Sequence, residues 1–419
     1  MSGAADAHGG HAARARGGRR LFITGLGIGQ ICSWGSLYYA YPMIAEAMES
    51  DLGWSKPVLY GAVTIGLLLS GLAAYPVGSA IDRGHGRAIM AGGSIAAGLL
   101  LVAWSQVESV VPYYVLLAAL GCVQATVLYE PAFAVVARRY GAADARTGII
   151  ALTLWGGFAS TVFIPPIQWL LDHMGWRETL MVLGGVNLLL CTALYALAID
   201  RTADAPRPDA GERGSPPLAG AQAVAWALRS PVFWALAVAL TAYWAVFSGF
   251  IYHAYPMLLE RGFSTGAVVF ALAVIGPAQV AGRIGIWVLA SGVPIRIIGS
   301  AAAAAFPLIF LALLVAPPAF AAVALIAAAY GASNGIMTIV RGVVVPEMLT
   351  RDAYGAINGA LAAPTMIAKA TAPLAAAMLW AASGSYVAVL VAMLVGSLLF
   401  VATFWLSAFL AAGRGASKS

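Results

Sequence analysis

The chain is 419 residues long, 61% hydrophobic and only 10% charged. A soluble domain carries about 25% charged residues, so this composition excludes a soluble enzyme, a nucleic-acid-binding protein and a disordered chain. The net charge of +6 is therefore read as a signal of membrane orientation rather than of affinity for nucleic acid.

Residues 1–20 are rich in Ala, Gly, His and Arg, with Arg14, Arg16, Arg19 and Arg20 directly before an apolar run that continues to Met48. That run is too long for the apolar part of a signal peptide, so it is expected to be a first membrane span behind a basic tail. Further runs follow at 57–80, 88–107, 110–137, 147–171 and 179–199, and then at 231–259, 265–291, 295–316, 319–345, 355–382 and 385–411. At 1.5 Å per residue each covers a hydrocarbon core of about 30 Å. None alternates polar with apolar, which argues against a β-barrel. The expected fold is an all-α membrane protein of twelve transmembrane helices in two six-helix halves, 21–199 and 231–411. A Pro-, Gly- and charge-rich linker, 200–230, joins them and ends in a short interfacial helix; residues 412–419 form a second tail.

Basic residues assign the sides. Seventeen of the 23 Lys and Arg fall at the ends of runs on the side of the N-terminus, and only Lys56, Arg177 and Arg261 on the other. This places both termini in the cytoplasm.

The helix that opens each half carries the same text. Gly35, Tyr38, Ala40, Tyr41, Pro42 and Met43 recur 214 positions later as Gly249, Tyr252, Ala254, Tyr255, Pro256 and Met257. Gly53-Trp54-Ser55 is echoed by Gly262-Phe263-Ser264, in which the Ser is expected to cap the next helix. A parallel duplication of six helices, with the substrate site between the halves near the bilayer midplane, is a transporter architecture.

Between the second and third runs stands Gly78-Ser79-Ala80-Ile81-Asp82-Arg83-Gly84-His85-Gly86-Arg87. This text resembles the motif of the major facilitator superfamily. The resemblance implies a gating role for Asp82, Arg83 and Arg87 through charge contacts that change during alternating access. The corresponding turn of the second half has Leu289 at the Asp position and keeps only Arg296.

A charge at bilayer depth costs at least about 2.5 kcal/mol on insertion scales and marks a wet cavity or a partner. Arg283, about 13 Å before the end of the eighth helix, and Lys369, about 21 Å into the eleventh, both fall near the middle of the bilayer. A guanidinium and an ammonium at one depth suit the carboxylates of an organic anion. Ala281-Gly282-Arg283 and Ala368-Lys369-Ala370-Thr371-Ala372 resemble the oxalate:formate antiporter branch, close to the monocarboxylate transporters. The resemblance implies that the two cations bind substrate carboxylates. Glu130, in the fourth helix, is expected to carry a co-transported proton or to be a charge partner. Tyr38, Tyr41, Tyr252, Tyr255 and His253 are candidate cavity residues, and Arg341 is expected to pair with Glu347 at the cytoplasmic rim.

The sequence thus predicts a multi-pass carrier of the bacterial-type cytoplasmic membrane that moves a mono- or dicarboxylate by exchange or with a proton. It is expected to be monomeric, with no enzymatic activity, no metal, no cofactor and no nucleic-acid partner. The alternatives are an efflux carrier for drugs, metalloids or other amphiphiles, and a non-transporting membrane sensor.

Overall fold

The computed structural model describes residues 21–200, 220–290, 292–349 and 354–416. The predicted basic tail, most of the linker and the last three residues of the second tail lie outside them. Where lipid offers no hydrogen bonds, a chain this apolar satisfies its backbone as helix, and the described residues are helical almost throughout. The order is α1 (21–34), a π-turn over Gly35–Tyr39, α2 (Tyr41–Leu52), α3 (Lys56–Ala80), α4 (Gly86–Trp104), α5 (Val110–Val127), α6 (Tyr129–Gly156) and α7 (Ala159–Met174). Then come α8 (Trp176–Gly185), a π-turn over Val186–Cys191, α9 (Thr192–Ala198) and the short α10 (Gly220–Leu228) at the end of the linker. Six long helices follow: α11 (Pro231–Glu260), α12 (Thr265–Leu289), α13 (Ile295–Val315), α14 (Phe320–Met348), α15 (Tyr354–Ser383) and α16 (Tyr386–Ala416). Eleven stretches among the described residues are long and apolar enough to cross a membrane. The first predicted span, α1 with α2, is the remaining helical path, interrupted by its π-turn.

Two interruptions were not visible in the hydropathy pattern. The repeated text that runs as continuous helix in α11 becomes a π-turn in its first copy, where the Ala40 N–H donates to Gly35 O at 3.0 Å. There Ser36 Oγ donates back to Cys32 O at 2.7 Å, and the Phe163 ring occupies the space beside Gly35 that a Cβ would need. The fourth predicted span breaks at Leu128, with φ −83 and ψ −155. Farther along α6, Val136 and Gly148 are neighbours, although twelve residues of straight helix extend about 18 Å. The chain therefore doubles back between them.

The glycines of the second repeat do the same work twice. Gly53 has φ 68 and Gly262 has φ 83, left-handed values open to glycine without a Cβ clash, so each ends one helix and starts the next. Ser264 Oγ then accepts from the Ala267 N–H at 3.3 Å and caps α12.

Contacts divide the chain into two compact units: Met1–Ala40 with Leu69–Pro208, and Tyr41–Leu68 with Asp209–Ser419. In the first unit a buried polar network ties α1 to its neighbours. Gln30 Nε2 donates to Val127 O at 2.7 Å, Ser33 Oγ and the Tyr195 hydroxyl are 3.0 Å apart, and Asn187 Nδ2 donates to Ser36 Oγ at 2.8 Å. In the second unit α12 and α14 touch backbone to backbone. A Cβ on Gly331 would come within 2.6 Å of Ile275 O, and one on Gly282 or Gly335 would strike Ala332 O or Gln279 O. Small residues permit this approach in a membrane, where packing rather than water expulsion drives helix association.

Candidate functional site

The second unit carries three cations on helix interiors, Arg283, Arg341 and Lys369, and two of them, Arg341 and Lys369, face the Trp244 ring of α11. Successive helices of α11 to α16 are joined by short connections and so alternate in direction. Arg283 and Arg341 stand six and seven residues before the C-terminal ends of α12 and α14, about 9–10 Å in. Helical side chains lean toward the N-terminus, which carries both guanidinium groups deeper. Lys369 stands fifteen residues into α15, about 22 Å from its start, and leans the other way. Arg341 Cζ lies 4.4 Å from the Trp244 ring centroid and 5.4 Å from that of Tyr243, and Lys369 Nζ lies 5.0 Å from Trp244. Arg283 and Arg341 both act electrostatically on Tyr243, and Arg283, only 8% exposed, donates from Nη2 to Gln279 Oε1 at 3.4 Å.

The scaffold explains how these groups are held. Pro373 has no N–H, so the carbonyl of Lys369 loses its helical partner four residues on. Ser248 Oγ replaces that partner, donating to Lys369 O at 2.6 Å. The Tyr243 hydroxyl donates to Asn334 Oδ1, which joins α11 to α14 and leaves the hydroxyl lone pairs for a donor. Gln279, which holds Arg283, is pinned by the close approach of Gly335.

The predicted pairing of Arg341 with Glu347 does not form. Arg341 turns to the rings of Trp244 and Tyr243, while Glu347 Oε2 accepts from the Ile295 N–H at 3.2 Å, at the start of α13. The two residues are six apart, off the three-or-four spacing that makes helix neighbours.

At the other end of α11 the remaining candidates form a closed layer. His253 is fully buried and uses both ring nitrogens: Nε2 lies 2.8 Å from Pro373 O and Nδ1 2.8 Å from the Tyr386 hydroxyl. A carbonyl only accepts, so Nε2 donates to it, and in the neutral ring Nδ1 accepts from Tyr386. Tyr60 stacks on the imidazole, with centroids 4.0 Å apart, and donates to Tyr252 O at 2.8 Å. Tyr41 donates to Leu59 O at 2.8 Å and meets the rings of Tyr60 and Tyr252 edge-on. Tyr255 is buried on the same helix. Beyond this layer Lys56, 5% exposed, bridges Glu46 at 2.9 Å and also Glu49, and stands 5.0 Å from the Trp380 ring. Glu260 accepts from Trp380 Nε1 and from the Tyr386 N–H, each at 2.6 Å, and so caps the start of α16.

The other candidates, Tyr38, Glu130 and the gating residues Asp82, Arg83 and Arg87, belong to the first unit. Tyr38 is buried in the π-turn, edge-on to Trp34. Glu130 is exposed in the first turn of α6, immediately after the break at Leu128, where a negative charge is favoured by the helix dipole. In the predicted gating motif, Gly84 takes φ 90 and turns the chain, Arg83 is exposed and Arg87 half-buried. The side chain of Asp82 lies outside the described residues.

An all-helical chain with this many membrane-length apolar helices, and with basic groups held on helix interiors, has the make-up of a multi-pass transporter. The family model of the Major Facilitator Superfamily matches residues 26–373, and the chain belongs to that family, whose members transport solutes and are not enzymes. Among curated proteins the chain is similar to monocarboxylate transporter 13 of Bos taurus, 27% identical over 346 residues, covering 78% of this chain and 74% of the relative. It is also similar to monocarboxylate transporter 11 of Homo sapiens, 29% identical over 265 residues; that match covers 61% of this chain and only 52% of the relative. Two solved structures share the fold. One is a point mutant of the nucleoside transporter NupG, with TM-score 0.71, 15% identity, and coverage of 94% of this chain and 99% of the other. The other is a bacterial homolog of the human lysosomal transporter Spinster, inward-facing and unoccupied, with TM-score 0.69, 16% identity, and coverage of 94% and 97%.

Proposed function

We propose that the protein is a secondary carrier of a small organic anion, a mono- or dicarboxylate, and that Arg283 and Lys369 bind its carboxylate groups. The observation that carries this reading is the arrangement of cations around Tyr243 and Trp244. The helices α11 to α16 contain two acidic residues, Glu260 and Glu347, both at helix ends. Arg341 and Lys369 face the Trp244 ring and Arg283 donates to Gln279 Oε1, and a carboxylate entering among them would add charge-assisted hydrogen bonds. The similarity to monocarboxylate transporters supports the same class of substrate.

In this reading the carrier works by alternating access in the cytoplasmic (inner) membrane, with both termini inside, and moves its anion by exchange or with a proton. Tyr41, Tyr60 and His253 serve the closure of one end rather than the anion, since their side-chain polar atoms are engaged with backbone carbonyls and with Tyr386. Glu130 is the candidate for the proton. Replacing it with Gln is expected to uncouple uptake from a pH gradient while leaving exchange intact.

The test is a panel of radiolabelled carboxylates in proteoliposomes, with and without a pH gradient and with internal counter-substrate. Carboxylate flux that is lost in both Arg283→Ala and Lys369→Ala, at unchanged protein levels, is the expected result. Flux at wild-type rates in both variants overturns the assignment, and resistance of a sensitive host to toxic amphiphiles without carboxylate flux would favour the efflux alternative.

A further inference from the structure

Arg341 is the one membrane-depth cation that the sequence leaves without a part in substrate binding, and its surroundings contradict that. It stands on α14, a helix that α12 touches at Gly282, Gly331 and Gly335, so its backbone is fixed relative to the helix that carries Arg283. Its guanidinium faces the same Trp244 ring as Lys369 and also lies over the Tyr243 ring. Its Nε is buried and has no hydrogen-bond partner among the described residues. A guanidinium has five N–H donors in a fixed fork, and a ring face attracts its charge without accepting them in the plane. Arg341 and Lys369 thus bring two positive charges to one ring, on helices that carry no acidic residue between their ends.

We propose that Arg341 is a third anion-binding residue and that it sets a preference for a dianionic substrate over a monoanionic one. The inference rests on the carboxylate-carrier reading and narrows it. One carboxylate of the substrate engages Arg283 or Lys369, and the second takes the in-plane donors of Arg341, while Trp244 bounds the space between them. The Tyr243 hydroxyl, whose proton goes to Asn334, keeps its lone pairs available to a donor.

The experiment compares succinate with butyrate, two probes of equal carbon count that differ in one carboxylate, in proteoliposomes at pH 7.5. The wild type is expected to favour succinate. Arg341→Gln is expected to cut succinate flux about tenfold, the size of one lost charge-assisted hydrogen-bonded contact, with butyrate flux within about twofold of wild type, and Arg341→Lys is expected to recover part of the succinate flux. To separate binding from folding, succinate is expected to raise the unfolding temperature of the purified wild type but not of Arg341→Gln. A succinate-to-butyrate ratio unchanged by Arg341→Gln, or a wild type that favours butyrate, overturns the inference and leaves the carrier reading standing. A wild type that moves neither probe nor any other carboxylate overturns both.

Discussion

Lys56 and Lys369 both belong to the second unit, and they are housed in opposite ways. Lys56 is buried at the end of the helix layer with two carboxylates of α2 in contact, Glu46 and Glu49. Lys369 stands in the middle of α15 before a tryptophan ring, with Arg341 before the same ring. A buried cation supplied with its own counter-charges is a fixed joint, because removing either partner strands the other. A cation set against a ring receives only part of the compensation, of the order of 1–2 kcal/mol. The comparison separates a cation that carries its own counter-charges from one that faces a ring, and it does so from the neighbours rather than from the residue type.

The sharpest way to break this comparison is to remove the charges one at a time. Lys369→Met is expected to abolish carboxylate flux in proteoliposomes, at a cost of about 2–5 kcal/mol in anion binding, while the unfolding temperature stays the same or rises. Unchanged flux in that variant would reduce the mid-helix cluster to packing. Next in size is Gly335→Leu, which pushes a side chain into the backbone of Gln279. Overpacking of this kind costs about 1–3 kcal/mol, and both the unfolding temperature and anion binding are expected to fall, because Gln279 holds Arg283. Lys56→Met should show the reverse of Lys369→Met: Glu46 and Glu49 then face one another without a counter-charge, and the protein loses about 1–2 kcal/mol after allowance for their partial exposure. Its KM for the transported anion is expected to be unchanged, so a raised KM would erase the distinction between the clusters. The smallest effect expected is that of Ser264→Ala, which removes the cap of α12 and costs about 1 kcal/mol, seen in the unfolding temperature alone.

The two copies of the repeated text make a second comparison. Gly35 and Gly249 stand at matching positions, yet the first opens a π-turn under the Phe163 ring and the second stays in an unbroken helix with Met393 and Ala372 at ordinary distances. Text alike at six of nine positions takes two backbone forms: Ser36, whose Oγ donates to Cys32 O, stands where the second copy has Phe250, and the neighbours differ. The same reason explains His253. The sequence shows a titratable ring near the substrate path; the fold gives both its nitrogens to Tyr386 and Pro373.

What the sequence determined by itself is whatever hydropathy and backbone chemistry settle locally. The apolar runs fixed the helices, since lipid leaves the backbone no other partner. Gly53, Gly84 and Gly262 fixed the turns through conformations that favour glycine, and Ser264 fixed a cap. The depth of Arg283 and Lys369 could be counted from the helix ends. Tertiary structure alone decided what those cations face. Trp244 and Tyr243 are more than ninety residues from Arg341 along the chain, and Ser248 repairs a carbonyl orphaned by a proline on another helix. Nor could the sequence show the Gly331 to Gly335 seam against α12, because close backbone contact becomes visible only when the partner helix is in place. A burial pattern says how deep a charge lies, and only the packing of helices says whether an acid, an amide or a ring is waiting for it.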